Sequence, residues 1–260
     1  MKKLSAAMLS MVLAGSMLLT GCGGNNTNAQ AGADTGAAEG GTLRMGTNAA
    51  FPPYEFMDEN NQVAGIDAEI AAAIADKLGM ELQITDMAFD SLIPALQSDT
   101  IDIVLAGMTV TEERAESVDF TDSYSTGVQV IIVPEGSPIT TPDDLAGKTI
   151  GVQSGTTGDI YCTGDYGQEN VKQFENGAMA VAALANGQVD CVVIDNEPAK
   201  AFVAANEGLV ILDTEYITED YAAAVNKGNT ELLDKVNAAM AALKEDGTID
   251  AIVGKYITAA

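Results

Sequence analysis

Arg114 is one of only two arginines in the chain and follows the apolar segment IDIVLA, within the run GMTVTEER at residues 107–114. Thr109 and Glu112 have the spacing of a capping box, which predicts that a helix begins where this segment ends. The free N–H groups of a helix start and the bidentate guanidinium of Arg114 together fit a carboxylate ligand. An ordinary surface ion pair of Arg114 with a neighbouring glutamate fits the same spacing.

A second candidate is the glycine-rich run GVQSGTTG at residues 151–158, where a predicted strand leads into a turn and then into a helix. Such a turn presents backbone N–H donors to an anion. Its glycines do not have the spacing of a dinucleotide-binding fingerprint. The run therefore predicts either an anion-binding turn or a plain tight connection between strand and helix.

Asp195 ends the apolar run VDCVVID and precedes a predicted helix. A carboxylate at the carboxyl end of a strand can receive an ammonium group in a cleft, and it can equally well cap the helix that follows. Aromatic residues offer a similar choice. Phe51 in TNAAFPPYEF and Phe89 in MAFDSLIPALQ either line a pocket or cover the core.

The composition excludes several classes of function. The chain has 260 residues with 12 basic and 38 acidic side chains, a formal net charge of −26. Such a chain is repelled by phosphate backbones, so nucleic acid is excluded as a partner. The sequence contains no histidine, which removes Ser-His-Asp and Cys-His catalysis and histidine-containing zinc sites. Any enzyme chemistry would have to use carboxylates, lysine, tyrosine or cysteine.

The chain begins with the pattern of a secretory signal. Two lysines precede an apolar run over residues 4–19, and the string Leu-Thr-Gly-Cys ends at Cys22. This string resembles the lipobox of bacterial lipoproteins, which implies a signal peptide over residues 1–21 and a lipid anchor on Cys22; a plain secretory signal with an incidental cysteine is the alternative. Residues 23–41 contain no large apolar side chain and predict a flexible tether after Cys22.

From Thr42 onward, short β-rich runs alternate with helical patterns, which predicts an α/β fold with mainly parallel strands. The predicted strands are Thr42–Thr47, Glu81–Thr85, Ile101–Ala106, Val128–Val133, Thr149–Gln153, Val189–Ile194 and Tyr221–Asn226. The predicted helices with their end signals are residues 66–78 with Gly79, residues 91–97 with Asp90, and the residues between Asn229 and Gly247.

The middle of the chain has its own alternation of strands and helices, which predicts two lobes. Residues 42–126 with 218–260 form the first lobe, and residues 127–217 form the second. The chain crosses between them at Thr126-Gly127 and again around residues 215–221. Because ligands of such sheets lie beyond the carboxyl ends of the strands, the ligand is expected in the cleft between the lobes.

Cys162 and Cys191 remain after Cys22 is assigned to lipid. Outside the cytoplasm they can form a disulfide, which this setting slightly favours over two buried thiols. The acidic residues contain no calcium loop and predict a solvated surface, so no metal site is expected.

Together, these motifs resemble a known family. The order of lipobox, GTNAAFPPYEF, GIDAEIAAAIADKLG, FDSLIPALQ, DIVLAGMTVTEERAESVDFTDSY, GVQSGTTG and VIDNEPAKAF is similar to that of the polar amino-acid family of extracytoplasmic solute-binding proteins that serve ABC importers. The resemblance runs from about Thr42 to Ile257. It implies a two-lobed periplasmic-binding-protein fold of type II with two crossovers, closing on an L-amino acid.

The resemblance also implies a role for each candidate. It implies that Arg114 and Thr109 grip the ligand carboxylate, that the turn at Thr156 and Thr157 adds N–H donors, and that Asp195 and the Gly107 carbonyl hold the ammonium. Phe51 and Phe89 enclose the ligand side chain. The complete set of eleven expected ligand-binding residues is Asn48, Phe51, Phe89, Gly107, Met108, Thr109, Arg114, Gln153, Thr156, Thr157 and Asp195.

One position departs from the family pattern. Relatives that take basic amino acids commonly have an aspartate where this sequence has Asn48. Asn48 and Gln153 suit a neutral polar side chain such as that of glutamine, whereas the IDNEPAKAF stretch and the TTG turn look most like the basic branch. Glu55 or another carboxylate is the candidate to compensate for the missing charge. Basic and polar amino acids are therefore expected together.

The leading interpretation is an anchored, monomeric receptor that delivers an amino acid to a membrane permease and needs no cofactor. An enzyme is the main alternative, because the same fold hosts dehydratases acting on cyclic carboxylic acids. A sensory ligand-binding domain is the third interpretation, and the chain shows no transmembrane segment or signalling domain after the fold to favour it.

Overall fold

The computed structural model describes residues 40–257, in which strands and helices alternate throughout. The strands are β1 (Thr42–Thr47), β2 (Ala50–Phe51), β3 (Glu55–Met57), β4 (Val63–Ala64), β5 (Glu81–Asp86), β6 (Ile103–Val104), β7 (Val118–Pro134), β8 (Ile150–Gln153), β9 (Val171–Phe174), β10 (Cys191–Asp195), β11 (Leu209–Ile211) and β12 (Ile217–Asn226). The helices are α1 (Ile66–Leu78), α2 (Leu92–Gln97), α3 (Glu112–Ser117), α4 (Thr157–Tyr166), α5 (Gly177–Ala185), α6 (Asn196–Ala205), α7 (Thr230–Glu245) and α8 (Thr248–Tyr256).

The expected signal peptide, Cys22 and the tether up to residue 39 lie outside the described residues. The lipid anchor therefore stays a prediction. Between residues 40 and 257, none of the helices has the length and apolar character needed to cross a membrane.

One sheet joins most of the strands, in the order β5-β1-β6-β12-β7-β10-β8-β9, with β11 paired to β7. The prediction of mainly parallel strands is right only for its two ends. The sets β5-β1-β6 and β10-β8-β9 are parallel, whereas β12 and β7 pair antiparallel with each other and with the strands beside them. The difference arises because β7 and β12 carry the chain between the two parallel sets in opposite directions.

The two central strands are longer than the sequence predicted. β7 has 17 residues and β12 has 10, where we expected only Val128–Val133 and Tyr221–Asn226. Their mutual pairing recruits the polar residues that precede each apolar run, an effect of tertiary context on strand formation. The expected crossover residues lie side by side in this pair, with Thr126 opposite Asp220 and Gly127 opposite Glu219.

Helix ends follow the predicted signals at Gly79, Asn229 and Gly247 but not at Asp90. Gly79 ends α1 in the left-handed conformation with a φ of 65°, as its lack of a Cβ allows. Asn229 caps α7 by accepting the N–H of Leu232. The expectation for Asp90 is wrong: it lies inside a 3₁₀ turn over Phe89–Ser91, and α2 begins after that turn without a side-chain cap.

The part of the chain after Gly247 differs from the prediction. α7 ends at Glu245, and Gly247, at a φ of 77°, links it to a further helix, α8, that the sequence reading missed. Val236, Met240 and Leu243 are buried in the core as the helical spacing predicts.

Cys162 on α4 and Cys191 on β10 are both fully buried and both free. The slight preference for a disulfide is therefore wrong, and the alternative of two buried thiols describes the structure. They share an apolar cluster with Ile131, Ile150 and Val152, where burial raises the pKa of the Cys191 thiol to about 12. Each thiol acts here as a small apolar side chain in the packing between α4 and the sheet.

Gly127 provides a direct test of the close packing in the central pair. An ideal Cβ at this position would lie 2.1 Å from the Tyr221 hydroxyl, so the ring would have to move. We expect Gly127→Ala to lower the free energy of unfolding by about 1–3 kcal/mol. Gly164→Ala is the matched control, because a Cβ at this exposed position in α4 meets nothing within 4 Å and should stabilise the helix by about 0.5–1 kcal/mol.

Urea unfolding followed by circular dichroism measures both variants. Equal stabilities for the two alanine variants would show that the contact between residue 127 and Tyr221 does not constrain the fold.

Candidate functional site

A closed cavity of about 310 Å³ lies beyond the carboxyl ends of β1, β8 and β10. Ten of the eleven expected ligand-binding residues line it together with Glu55 and Ala106; the ten are Asn48, Phe51, Phe89, Gly107, Thr109, Arg114, Gln153, Thr156, Thr157 and Asp195. The structure thus gathers residues as far apart in the sequence as Asn48 and Asp195. This is where an open α/β sheet places its ligand.

Arg114 is buried, with 6% of its surface exposed. It projects from the first turn of α3, whose cap is Thr111: the Thr111 hydroxyl accepts the Arg114 N–H at 3.1 Å. The expectation that Thr109 caps this helix is therefore wrong, because the turn begins two residues later. Instead, the Thr109 carbonyl accepts a hydrogen bond from Arg114 Nη1 at 2.7 Å.

The guanidinium of Arg114 has no anionic partner among residues 40–257. The alternative of a surface ion pair is therefore wrong. Its second nitrogen, Nη2, donates to the Gly155 carbonyl at 3.0 Å, and the Phe89 ring lies 5.3 Å from the guanidinium carbon. Two of five N–H donors are used in these bonds. The remaining donors and a full positive charge face the cavity, where a carboxylate would satisfy both.

The glycine-rich run forms the strand, turn and helix that were predicted. Gly155 turns the chain at a φ of 74°, a left-handed conformation that glycine adopts without strain. Thr156 caps α4 by accepting the Asp159 N–H. The first turn of α4 leaves backbone N–H groups without helical acceptors, and it does so at the edge of the cavity, opposite Arg114.

Asp195 is buried at the end of β10, with 6% of its surface exposed. It does not cap α6 with its side chain, so that alternative is wrong. Its carboxylate accepts hydrogen bonds from Gln129 Nε2 at 2.8 Å and from the Tyr221 hydroxyl. Burial and the nearby Glu219 raise the pKa of Asp195 to about 7, against the opposing effect of the hydrogen bonds from Tyr221 and Gln129. A cationic group in the cavity would stabilise the ionised carboxylate.

Behind Asp195, the Gln129 amide joins the two central strands to the helix start. Gln129 Nε2 also donates to Glu219 Oε2 at 3.0 Å, and Thr157 donates its hydroxyl to the same oxygen at 2.8 Å. Gln129 and Glu219 were not among the expected residues. Their position in long strands with mixed polarity gives no sequence signal, because only the pairing of β7 with β12 brings them together.

Asn48 and Gln153 form a hydrogen bond across the cavity wall. Gln153 Nε2 donates to Asn48 Oδ1 at 2.9 Å, and Asn48 Nδ2 donates to the Met87 carbonyl at 2.9 Å. Both functional atoms of Asn48 are thus occupied. Within residues 40–257 the remaining Gln153 Oε1 accepts no hydrogen bond, so this amide offers the cavity an acceptor.

Glu55 is a cavity residue that was not in the expected set. It is fully buried in β3, and neither carboxyl oxygen receives a donor from the described residues. Burial raises the pKa of Glu55 well above its usual range, and the adjoining Asp67 carboxyl adds to the shift. Its only sequence signal is an acidic residue between Tyr54 and Phe56 in a short strand that is otherwise apolar.

Asp67, at the start of α1, lies beneath Glu55 and holds the backbone of the cavity floor. Its Oδ2 accepts the Gly107 N–H at 2.8 Å and the Tyr124 hydroxyl at 2.7 Å. Gly107 has a φ of 51°, and a Cβ there would lie 2.8 Å from the Phe51 ring. The glycine therefore permits both the turn and the close approach of the aromatic ring.

Met108 is the one expected residue that the structure does not bring to the cavity. Its side chain is fully buried in an apolar cluster with Leu92 and Val104. Its carbonyl accepts the Ala222 N–H at 3.1 Å. Phe51 and Phe89 satisfy both of their interpretations, because each lines the cavity and is also more than nine-tenths buried.

The charges around the cavity are unequal. Arg114 is the one buried cation among residues 40–257, whereas Glu55, Asp67, Asp195 and Glu219 are buried acids. No group of three or more metal-ligating side chains occurs in this part of the chain. The arrangement suits an organic ligand with one carboxylate and more than one positive group.

Comparison with known proteins agrees with this geometry. The sequence pattern of the bacterial extracellular solute-binding proteins, family 3, matches residues 43–259. A protein described as a probable histidine-binding protein of Neisseria gonorrhoeae is 34% identical over 262 residues, covering 98% of this chain and 96% of the relative. A putative ABC transporter arginine-binding protein of Escherichia coli (strain K12) is 33% identical over 231 residues, covering 87% and 95% of the two chains.

Solved structures show the same fold. An ancestral arginine-binding protein bound to arginine has a TM-score of 0.79 and 46% identity, covering 83% of this chain and 98% of that one. An ancestral arginine-binding protein bound to glutamine has a TM-score of 0.80 and 45% identity, covering 84% and 98%.

The buried carboxyls predict how stability depends on pH. Burial raises the pKa of Asp67 to about 6 and that of Asp195 to about 7, compared with about 3.9 in an unfolded chain. A raised pKa in the folded state stabilises the protein at low pH, and this contribution is lost as the pH rises. We expect the free energy of unfolding without ligand to fall between about pH 4 and 7, and Asp195→Asn to make this fall shallower.

Urea unfolding at a series of pH values measures the slope. Asp220→Asn, an exposed position on the same strand, removes one acid of the general surface charge and serves as the control. A slope for Asp195→Asn that equals the slope for Asp220→Asn would contradict the assignment of the pH dependence to the cavity.

Proposed function

The chain belongs to the bacterial extracellular solute-binding proteins of family 3, and we propose that its preferred ligand is an L-amino acid with a cationic side chain, arginine first among them. The protein is the amino-acid-binding component of an ABC importer, with an extracytoplasmic location and the two-lobed fold of its relatives. The observation that carries the ligand proposal is the buried guanidinium of Arg114 in a cavity whose other charged lining residues, Glu55 and Asp195, are both acids.

The α-carboxylate of the ligand pairs with Arg114. Three unused guanidinium N–H donors and the start of α4 at Thr156 and Thr157 supply a charge and hydrogen bonds on adjoining sides. The contacts of Arg114 with the Thr109 and Gly155 carbonyls support this role, because they fix the guanidinium plane without neutralising it.

The α-ammonium pairs with Asp195, aided by the Gly107 carbonyl. Gln129 and Tyr221 hold the Asp195 carboxylate in place. An ammonium next to this carboxylate removes the cost of keeping the charge in a buried site. An L-amino acid is the common ligand that carries a carboxylate and an ammonium on the same carbon.

The ligand side chain extends past Phe51 and Phe89 toward Glu55 and Gln153. Glu55 offers two unpartnered carboxyl oxygens and Gln153 offers one carbonyl oxygen. These atoms accept hydrogen bonds and favour a side chain that carries only donors, of which a guanidinium has five. Glu55 thereby supplies the negative charge that Asn48 lacks.

The relatives support the same class of ligand. They include proteins described as binding histidine and arginine, and an ancestral arginine-binding protein solved with arginine and also with glutamine. A neutral polar ligand such as glutamine is the second candidate, and the occupied amide of Asn48 beside Gln153 is the observation that favours it.

The lobes close around this ligand. We assign residues 42–126 with 218–260 to one lobe and residues 127–217 to the other. Side-chain hydrogen bonds join them, among them Arg114 to Gly155, Gln153 to Asn48, and Ser154 to Asp90 at 3.2 Å. Such bonds favour the closed state and lengthen the residence time of the ligand.

The remaining parts of the proposal concern the setting. Cys22 carries a lipid that holds the protein at the membrane, where it meets the permease as a monomer. The protein turns over no substrate, because the buried acids of the cavity hold the ammonium and the cationic side chain of an amino acid.

A thermal-shift screen tests the function. The purified protein is heated with each of the twenty amino acids and with ornithine and citrulline, because a ligand at 100 times its dissociation constant adds about 2.7 kcal/mol of stability. We expect the largest shift with arginine. A largest shift with glutamine would replace the cationic ligand by the neutral one, and no shift with any amino acid would overturn the proposed ligand class.

Replacing Arg114 tests the carboxylate contact. We expect Arg114→Ala to weaken amino-acid binding by at least about 2 kcal/mol, roughly 30-fold, because the ligand carboxylate loses its charged partner. Titration calorimetry measures the affinity. Arg44→Ala is the control. Arg44 is the only other arginine, and it forms a partly exposed ion pair with Asp102. Equal affinities for the two variants would remove Arg114 from the binding site.

A further inference from the structure

Glu55 lines the cavity, and its carboxyl group lies next to that of Asp67 behind it. Glu55 lies on β3 and Asp67 on α1, and both side chains are fully buried. Neither Glu55 oxygen, nor Oδ1 of Asp67, receives a hydrogen bond from a donor in residues 40–257. Two acids at such a position cannot both ionise without a counter-charge, so the pair must share a proton or face a cation.

The two members of the pair are not equivalent. Asp67 Oδ2 accepts the Gly107 N–H and the Tyr124 hydroxyl, and these donors oppose the effect of burial on the Asp67 pKa. Glu55 has no such donors, and both burial and the Asp67 charge raise its pKa. In the cavity without a cation, Asp67 is therefore the ionised member and Glu55 holds the proton.

The neighbours of Glu55 do not provide a cation. The charged groups that act on it are Asp67, Asp195 on β10 and Asp86 on β5, and the Tyr124 phenol of β7 lies on the far side of Asp67. All three charged groups are acids, and Arg114, the one cation that lines the same cavity, forms no hydrogen bond or ion pair with Glu55. A positive group brought by the ligand is thus the one that can replace the proton.

We propose that the Glu55–Asp67 pair exchanges its proton for the cationic end of the ligand side chain. This inference rests on the proposed function and adds a proton to its binding equilibrium. Before binding, the pair carries one proton and a charge of −1. When the guanidinium arrives, the Glu55 proton leaves to the solvent, and the pair with its bound cation again carries −1. The buried region thus accepts a cation without a change in its total charge.

The exchange makes binding depend on both pH and ligand charge. A reaction that releases one proton becomes about tenfold more favourable for each unit of rising pH, as long as Glu55 is protonated in the free protein. Citrulline is the matched ligand, because it has the shape of arginine with an uncharged end. Asp195 responds to the ammonium of both ligands, so its contribution cancels in the comparison.

Titration calorimetry in buffers of different ionisation enthalpy measures the number of protons released near neutral pH. We expect arginine to release about one proton more than citrulline from the purified protein. Arginine affinity should also rise with pH more steeply than citrulline affinity. Equal proton release for the two ligands would overturn the exchange and leave the proposed function intact, whereas no binding of arginine would overturn both.

A variant assigns the proton to its residue. In Glu55→Gln the proton released on arginine binding should fall by about one relative to the parent, and arginine should bind more weakly. Glu59→Gln, at an exposed position that follows the same strand, should release as many protons as the parent. An unchanged proton count in Glu55→Gln would show that another group exchanges the proton. Should Glu55→Gln not fold, the comparison of arginine with citrulline on the parent protein decides alone.

Discussion

The structure depends on one buried cation that the protein does not neutralise. Arg114 is held by two carbonyls, one from Thr109 in its own segment and one from Gly155 across the cleft. Carbonyl dipoles fix the orientation of the guanidinium and leave its charge available, whereas a carboxylate partner would have consumed it. A buried, unpaired charge costs several kcal/mol, so the fold is most stable when an anion supplies the missing partner. The bond to Gly155 also means that the grip on the ligand carboxylate tightens only when the two sides of the cleft meet.

The antiparallel pair of β7 and β12 sets the position of the second charge. Gln129 on β7 and Tyr221 on β12 both donate to Asp195, so the strands that carry the chain between the lobes also orient the carboxylate to which the proposed function assigns the ligand ammonium. Gly127 leaves no room for a side chain against the Tyr221 ring. A change in the angle between these strands therefore moves Tyr221 relative to Asp195, which couples closure of the cleft to the ammonium contact. This coupling arises because Tyr221 belongs to β12 and also donates to Asp195.

Much of the fold and of the cavity wall could be predicted from sequence, because local signals specify them. The strand that ends at Thr47, the glycine stop of α1 and the turn before α4 follow from apolar alternation, from a missing Cβ and from capping spacing. The length of β7 and β12 could not be predicted, since their polar residues become strand only by pairing with each other. Thr111 displaced Thr109 as the cap for a similar reason, because the isolated bridge of Thr109 to Tyr221 keeps that residue extended. Gln129 and Glu219 were missed, and Glu55 was named only as a substitute charge, because a buried polar side chain is recognisable only when its neighbours are known.

The balance of buried charges explains how the same cavity serves binding and selectivity. Burial makes Asp195 and Glu55 reluctant to ionise, and the acidic groups beside them add to this effect, so the ligand-free site is weakly charged near neutral pH in spite of its acids. A zwitterion that meets Arg114 and Asp195 at the same time satisfies both without a net change in charge. In the proposed exchange, an additional cation is accepted only where a carboxyl group can still lose its proton. Glu55 beside Asp67 is that group. An anionic side chain would meet the same carboxyls as a like charge, and like charges at short range in a buried site raise the free energy by several kcal/mol. The buried acids that destabilise the ligand-free protein are thus the groups that disfavour a ligand with an anionic side chain.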